Sequence, residues 1–581
     1  MTNRVNVKES PTAGKGLFAK EKIEPGQVIA TIPRALIVVL DAAHLEDACS
    51  NCFVWTKRPP TEGGEGDGRK LEVKACTGCQ VVRYCSKVCK FSLFQSLLYI
   101  CRRHVFSYAG NAPNTIVDLE PIHSYLQLPC PKLTRSQKCQ RESWKRNHKF
   151  ECKTLAIGKE VRLSQWPNAV RCVIQILTMR SGGAISEEQW EALLKLKSHM
   201  KKKKEAGGPT WASVQLMGEG AWRYTQDAYP NTFDAALGRS LFAKVLTNSM
   251  ALVTPTFEPL GVCLDPQAAL ANHSCDPNAL VVMDGSELSL RSIKPIKNDE
   301  EILISYVDCT EPLSRRQYEL NEKYHFKCAC TKCSKGHNTK EDEWKQPLNK
   351  LIQKWKETAD IRGKRDPELF DLANYLGDDI HSKRMQVVQT LAYNVLEDAR
   401  EMDNPKKAIS KLEDGIRLCF QTEMWPIHRQ PYPTFRHELM LRMLDAGNFI
   451  IASHQGAKSY WLIDPILYPY EHHPVRVVHK WTLAMLFLYL ASEPDDTGTI
   501  ADMRRQSINL AVIGFGLIHE VLESIPFSHG TTGSFAKMAQ KKASEVASEM
   551  TGGNAQRFEQ LQDEVKIQWE YFRQMAGWMM M

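Results

Sequence analysis

The chain has 581 residues, enough for two to four domains at roughly 150 residues each. With 43% hydrophobic and 24% charged residues it reads as globular, which excludes a short disulfide-stapled module, a collagen-like or coiled-coil rod and wholesale disorder. A balance of 75 Lys and Arg against 67 Asp and Glu gives +8, too dilute over this length to name nucleic acid or an anionic membrane as a partner. The longest apolar runs, near Phe91 to Ile100 and Trp481 to Ala491, fall short of the roughly 18 residues of a membrane span. Met1-Thr-Asn-Arg4 lacks an apolar signal core, so an intracellular chain with reduced thiols is expected.

In chain order, Ala13-Gly-Lys-Gly-Leu-Phe-Ala19 followed by Ile23 to Ile29 predicts a strand, a glycine turn and a hairpin. Taken alone, Gly14-Lys15-Gly16 is a structural turn. Cysteine then dominates. Cys49-x2-Cys52, Cys76-x2-Cys79, Cys85-x3-Cys89 and His148-x3-Cys152 form four pairs at ligand spacing. Each pair is short enough for both donors to reach one ion, so eight ligands predict two closed tetrahedral zinc sites. Two stretches interrupt this pattern: a Pro59 to Gly68 segment that reads as a flexible loop, and 58 residues between Cys89 and His148.

Residues 155 to 245 read as mostly helical, with Ala169 to Leu177 buried and Lys201 to Lys204 at the start of a solvated linker. Leu270-Ala-Asn272-His273-Ser274-Cys275-Asp-Pro-Asn278 is, on its turn chemistry alone, a capped turn. Ile293 to Asp308 contains an apolar strand that reaches Tyr306. Cys328-x-Cys330-x2-Cys333 leaves a tetrahedral zinc one ligand short, so a fourth must come from elsewhere. Beyond about 340 helical periodicity takes over. Val388, Leu391, Ala392, Val395 and Leu396 predict one apolar face, and Asn404-Pro405 starts a helix with Ile409, Leu412, Ile416 and Phe420 inward. Further helices are predicted near 435–455, 475–492, 500–524 and 555–577, with no clean 34-residue repeat.

The order of the ligand pairs, with Tyr84 before Cys85 and His148-Lys-Phe-Glu-Cys152 at the end, resembles a MYND zinc finger. That resemblance implies interleaving: Cys49 and Cys52 with Cys85 and Cys89, and Cys76 and Cys79 with His148 and Cys152. The Gly14-Lys15-Gly16 hairpin, Lys244 to Ser249, the Asn272-His273 motif, the strand to Tyr306 and the Tyr324-His-Phe326 entry to Cys328 resemble, in this order, a SET methyltransferase core. A SET core split by a MYND finger is the arrangement of the SMYD lysine methyltransferases. It implies an α+β fold: a β-rich split SET core, a zinc-bound post-SET segment and a tetratricopeptide-like helical C-terminal domain. The implied divisions are an N-terminal SET segment 1–48, a finger 49–152 with an insert at about 90–139, a helical SET insertion 153–245, core SET 246–312, post-SET 313–336 and helices 340–581.

The resemblance further implies S-adenosylmethionine as cofactor and three structural zinc ions, the third bound by Cys275, Cys328, Cys330 and Cys333. Tyr306 would be the catalytic tyrosine. Lys15, Gly16, Asn248, Asn272, His273, Tyr306 and Phe326 would hold the cofactor, with Lys15 and Asn248 at its carboxylate because Ala13 stands where relatives carry a polar or basic residue. The implied partners are a histone or non-histone protein with an exposed lysine and peptides recognised by the finger and helices. A monomer in the nucleus or cytoplasm is expected, without membrane or sequence-specific nucleic-acid binding. The alternative is a scaffold with a degenerate SET core. Tyr84 to Cys89 carries the upstream half of the finger motif and Cys139 to Cys152 the downstream half, beginning again from a cysteine, so deleting residues 90–139 closes the motif and either Cys89 or Cys139 can complete the site. Those fifty residues read as an in-frame retained intron or as a lineage-specific binding loop, with Cys89 the expected ligand because it is local to Cys85.

Overall fold

The computed structural model describes residues 4–11, 13–55, 73–85, 138–159, 161–344, 379–422, 424–493 and 498–576. The Pro59 to Gly68 loop, Cys89 and all of the insert except Lys138 and Cys139 lie outside the described residues. The fold is mixed α+β, with small sheets in the N-terminal half and helices beyond.

Strand β1 (Val5–Ser10) pairs antiparallel with β2 (Gly14–Ala19) from Val5 opposite Ala19 to Ser10 opposite Gly14. Gly14 sits at φ +70°, the left-handed conformation that the tight connection requires. Strands β3 (Val28–Ile32) and β4 (Ile37–Leu40) follow, then a short finger hairpin of β5 (Val73–Ala75) and β6 (Arg83–Cys85). The later strands are β7 (Met250–Val253), β8 (Pro259–Leu264), β9 (Asn272–His273), β10 (Ala279–Asp284), β11 (Glu287–Ser292) and β12 (Glu301–Ile304). They return to the early ones in three sheets of order β1-β2-β12-β9, β10-β11-β3 and β4-β8-β7. Residues almost 300 positions apart in sequence therefore become neighbours, as Ile302 lies opposite Leu17, and on the other edge of β12 the nearer Asn272 and His273 run parallel to Leu303 and Ile304. Along β12, Ile302 and Ile304 point into a core with Ile23, Ile29, Ala271 and Ile296, while Glu301 and Leu303 take the other face.

Helices α1 (Lys138–Ser143) and α2 (Lys149–Ile157) are joined by one widened turn that carries His148. The insertion comprises α3 (Asn168–Ser181), α4 (Glu187–Lys195), α5 (Met200–Ala206), α6 (Gly208–Gln226) and α7 (Ala235–Asn248), and α3 buries Val170 to Met179 as predicted for this segment. The lysine run departs from the expected linker. It forms α5, with Lys203 buried beside His325.

After α8 (Leu313–Tyr324), the helical region runs through α9 (Asp379–Glu401), α10 (Pro405–Gln421), α11 (Tyr432–Asp445), α12 (Phe449–Lys458), α13 (Asp464–Leu467), α14 (Pro474–Ser492), α15 (Gly498–Arg505), α16 (Leu510–Ser528), α17 (Ser534–Thr551) and α18 (Ala555–Ala576). Two predicted helices are each broken in two. Gly447 at φ +75° ends α11 and Asn448 caps α12, while Ser507 at φ +60° and the Asn509 cap separate α15 from α16. Helix α17 was not foreseen. Helix α16 is long and apolar enough to cross a membrane, which the search for apolar runs missed, but its Val512, Ile513, Phe515, Leu517 and Ile518 are buried in the helical core.

The buried faces of α9 and α10 include the expected Ala392, Leu396 and Leu412, with Val388, Val395, Ile409 and Ile416 half-buried against the core, but are rotated so that Leu391 and Phe420 lie outside. In α9 the inward residues are Met385, Gln389, Ala392, Leu396 and Ala399, and Leu391 is 49% exposed. In α10 they are Ala408, Leu412, Gly415 and Cys419, and Phe420 is 56% exposed. The cause is close approach: a Cβ on Gly415 would stand 2.2 Å from Cζ of Phe435 on α11. Arg291 of β11 ties this region to the SET core by donating to the carbonyls of Gly26 and Pro526, at 2.6 and 3.1 Å.

Candidate active site and metal centres

The cysteine pairs converge into three clusters: Cys49, Cys52, Cys85 and Cys139; Cys76, Cys79, His148 and Cys152; and Cys275, Cys328, Cys330 and Cys333. Within each cluster all four donor atoms lie within 4.8 Å of one another. A tetrahedral zinc at the usual bond lengths separates two sulfurs by about 3.8 Å and a sulfur from an imidazole nitrogen by about 3.5 Å. Cys52 and Cys85 are 3.7 Å apart, Cys76 and Cys152 3.8 Å, and Cys79 and His148 Nε2 3.5 Å. The donor sets thus fit zinc, and the second and third have the membership expected for them.

The first cluster differs in one corner. Cys139 takes the place expected of Cys89, with its Sγ 3.5 Å from that of Cys85. Cys139 lies on α1, whose continuation carries His148 and Cys152, so one run of helix delivers a ligand to each finger site. Local spacing from Cys85 carried no information about that helix. A half-buried arginine faces one all-cysteine cluster and a buried one the other. Arg34 lies over the Phe53 ring beside Cys49, Cys52 and Cys139, and Arg316 lies beside Cys275 and Cys333. A zinc with four thiolates carries two net negative charges, which these cations offset. The Cys3His cluster instead has the Glu151 carboxylate 3.5 Å from His148 Nδ1, orienting the ring.

The candidate active site lies where β2, β9 and β12 meet. Asn272 donates from Nδ2 to the Lys15 carbonyl at 3.2 Å and to Glu301 Oε1 at 2.8 Å, and its Oδ1 is an acceptor by chemistry. Gly16 makes this approach possible, since a Cβ there would stand 2.3 Å from Glu301 Oε1 and 2.9 Å from Asn272 Nδ2. Lys15 itself is exposed. Asn248, at the end of α7, donates to the carbonyls of Lys197 and Lys244 at 2.8 and 2.7 Å, and Lys197 Nζ reaches the Ala13 carbonyl. That chain of contacts places Asn248 near the β2 turn.

Tyr306 follows β12 directly. Its hydroxyl donates to the Ala271 carbonyl at 2.7 Å, and burial, then the Glu301 charge, pushes its ionisation well above the usual phenol range. The ring forms an aromatic cluster with Tyr324 at 4.8 Å and His273 at 5.2 Å, and His273 is 5.9 Å from Phe326. These rings are half-buried, with Tyr306, Tyr324 and Phe326 packed along the edge of the core beside Val307, Leu320 and Cys328. A glycine cradle, an amide acceptor and a partly exposed aromatic face suit a nucleoside-bearing cofactor, and the tyrosine-lined side suits an aliphatic amine.

Sequence reasoning passed over Tyr324, Glu301, His199 and Lys203. Helix α5 clamps the segment leading into Phe326: Lys202 Nζ donates to the His325 carbonyl at 2.7 Å, Lys203 Nζ is 3.2 Å from His325 Nε2, and the His199 and His325 rings are 5.3 Å apart. Burial lowers Lys203 to about 8. A lysine run carries the signature of a solvated face, so the burial of one member has no signal in the sequence. Tyr324 was legible, two residues before Phe326 in the same motif.

The family model of the SET domain matches residues 14–307. "SET domain and MYND-type zinc finger protein 6" of Schizosaccharomyces pombe is 30% identical over 59% of this chain and 54% of its own length. Human "Histone-lysine N-methyltransferase SMYD3" is 32% identical over 39% of this chain and 51% of its own, and human "N-lysine methyltransferase SMYD2" is 29% identical over 67% and 81%. The chain thus spans about half the length of the first two. Among solved structures, the SET domain of LSMT bound to lysine and AdoHcy aligns with 82% of this chain and 91% of its own at 14% identity and a TM-score of 0.23, too low to support an argument.

Proposed function

From a chain that belongs to the SET-domain family, in its SET-and-MYND branch, we propose a protein-lysine N-methyltransferase that uses S-adenosylmethionine. The observation that carries this reading is the meeting of Gly16, Asn272, Tyr306 and Phe326, from four separate stretches of chain, beside one partly exposed aromatic cluster. When bound, the cofactor supplies a methyl group on a sulfonium that an amine can displace. Asn272 and the His273 backbone would hold its adenine end, Phe326 would stack on the ring, and Lys15 and Asn248 would meet its carboxylate.

The substrate amine must be neutral to attack. Tyr306, Tyr324 and His273 provide a partly desolvated wall that favours the uncharged form. With its proton given to the Ala271 carbonyl, the Tyr306 oxygen retains lone pairs that can accept from the amine and orient it. Its raised ionisation keeps it a neutral phenol near pH 7, so its contribution is positioning rather than proton abstraction. The zinc ions are structural, because each cluster offers four protein donors and no open position. The third ties the segment after Phe326 to Cys275, three residues beyond Asn272.

The test is transfer of labelled methyl from S-adenosylmethionine to a panel of histones and to cell extract. Label on lysine that disappears with Tyr306→Phe supports the reading. Absence of transfer to any protein, with cofactor binding also absent, returns the chain to the scaffold alternative.

A further inference from the structure

The His273 side chain joins two parts of the molecule. Its Nδ1 lies 3.0 Å from the backbone nitrogen of Tyr306, and its Nε2 lies 3.2 Å from Sγ of Cys275. A backbone N–H can only donate, so Nδ1 is the acceptor, and a neutral imidazole then carries its proton on Nε2. That N–H points at the sulfur. Cys275 Sγ in turn is 3.5 Å from Cys333 Sγ within the third cluster. We infer that His273 is a positioning residue, a rigid strut whose Nε2–H bonds the Cys275 thiolate while its Nδ1 fixes the backbone of Tyr306, so that the zinc sets the placement of the catalytic tyrosine.

Three observations favour a strut over simple packing. The two ring nitrogens are used at once and in opposite senses, one accepting and one donating, which no apolar ring of the same size could reproduce. The sulfur contacted belongs to a thiolate-rich cluster, where a hydrogen-bond donor lowers the charge that zinc alone must offset; Arg316, near Cys333 at 4.0 Å, faces the same cluster from another side. Finally, the imidazole lies within ring-contact distance of both Tyr306 and Phe326, so the groups proposed to touch amine and adenine take their spacing from one side chain. Only the turnover part of this inference rests on the methyltransferase reading.

Three variants separate the two ends. His273→Asn places an amide oxygen where Nδ1 was and gives up the bond to sulfur. His273→Gln extends an amide N–H toward the sulfur and gives up the bond to Tyr306. His273→Phe keeps ring volume and loses both. Zinc release to a chromogenic chelator is expected to quicken for one of the three ions by about tenfold or more in the Asn and Phe variants and to stay near native in the Gln variant. Turnover at saturating cofactor is expected to fall in all three variants, because His273 also walls the amine site, and to fall by about tenfold or more further in the Gln and Phe variants than in the Asn variant. This crossed pattern supports the strut. Equal losses in all three variants for both readouts, or native behaviour of His273→Phe, would overturn it. If His273→Phe does not fold, the Asn and Gln variants alone still show or lack the crossing. If the native protein transfers no methyl group, the function reading fails, and zinc release alone then decides this inference.

Discussion

The SET core and the C-terminal helices both bury apolar faces but reveal them in the sequence to different degrees. In the core, strand pairing fixes each side chain to one of two faces, and a slip of one residue would turn Ile302 and Ile304 outward and Glu301 inward. A motif in the right order therefore locates its side chains closely. In the helices the face can rotate. Hydrophobic size points to Ile409, Leu412, Ile416 and Phe420 on α10, whereas the fully buried face is Ala408, Leu412, Gly415 and Cys419, with Ile409 and Ile416 half-buried beside it. Close helix packing selects small residues, and the larger ones are left at its margin.

The contrast is most sharply tested at the metal that ties the core together. Cys330→Ser should reduce the zinc content from three ions per chain toward two and remove measurable cofactor binding and methyl transfer, as read by elemental analysis and calorimetry. Retention of three zincs would break the assignment. Next in size, Gly415→Val should destabilise the helical region by about 1–3 kcal/mol because its side chain must displace Phe435, whereas Phe420→Ala should stay within about 0.5 kcal/mol. Urea unfolding of the two variants measures this, and the reverse order would restore the face read from hydrophobic size.

A smaller effect is expected where the two regions meet. Burial, then the neighbouring Asp308 charge, pushes Glu311 up to about 8 from an ordinary 4.5, and Tyr393 of α9 donates to it. Because the folded state holds this proton more tightly, stability should fall as pH rises from about 4.5 to about 8 and level off above. Glu311→Gln should flatten that slope in thermal melts, and an unchanged slope would assign it to other groups. The smallest effect belongs to Cys89. Cys89→Ser should leave three zincs, whereas Cys139→Ser should lose one. Removing residues 90–139 or 89–138 yields the same sequence, so in the shortened protein the remaining cysteine should restore the first site.

How much was legible follows from the same physics. The split core, the helical C-terminal region and the gathering of Gly16, Asn272, His273 and Tyr306 on adjacent strands could be read because ordered motifs constrain strands that pair across almost 300 residues. Cys139 ranks only second to Cys89 in the sequence, because the long helix from α1 to α2 that aims it begins at Lys138, inside the expected insert. Lys203 and Gln389 are polar residues buried by tertiary contacts, to His325 and to Arg429 and the Gln430 carbonyl, and periodicity has no term for such contacts. The unforeseen α17, with Phe535, Ala536 and Ala539 inward, has an alanine-rich face that hydrophobic size again undervalues.

The central claim is that β2, β9 and β12 build one cofactor site, and calorimetric titration of the purified chain with S-adenosylhomocysteine tests it most directly. The account predicts one site per chain, weakened about tenfold or more in Asn272→Ala and nearly unchanged in Tyr306→Phe, whose hydroxyl acts on the reaction rather than on binding. Absence of binding, or binding that Asn272→Ala leaves intact, would contradict it.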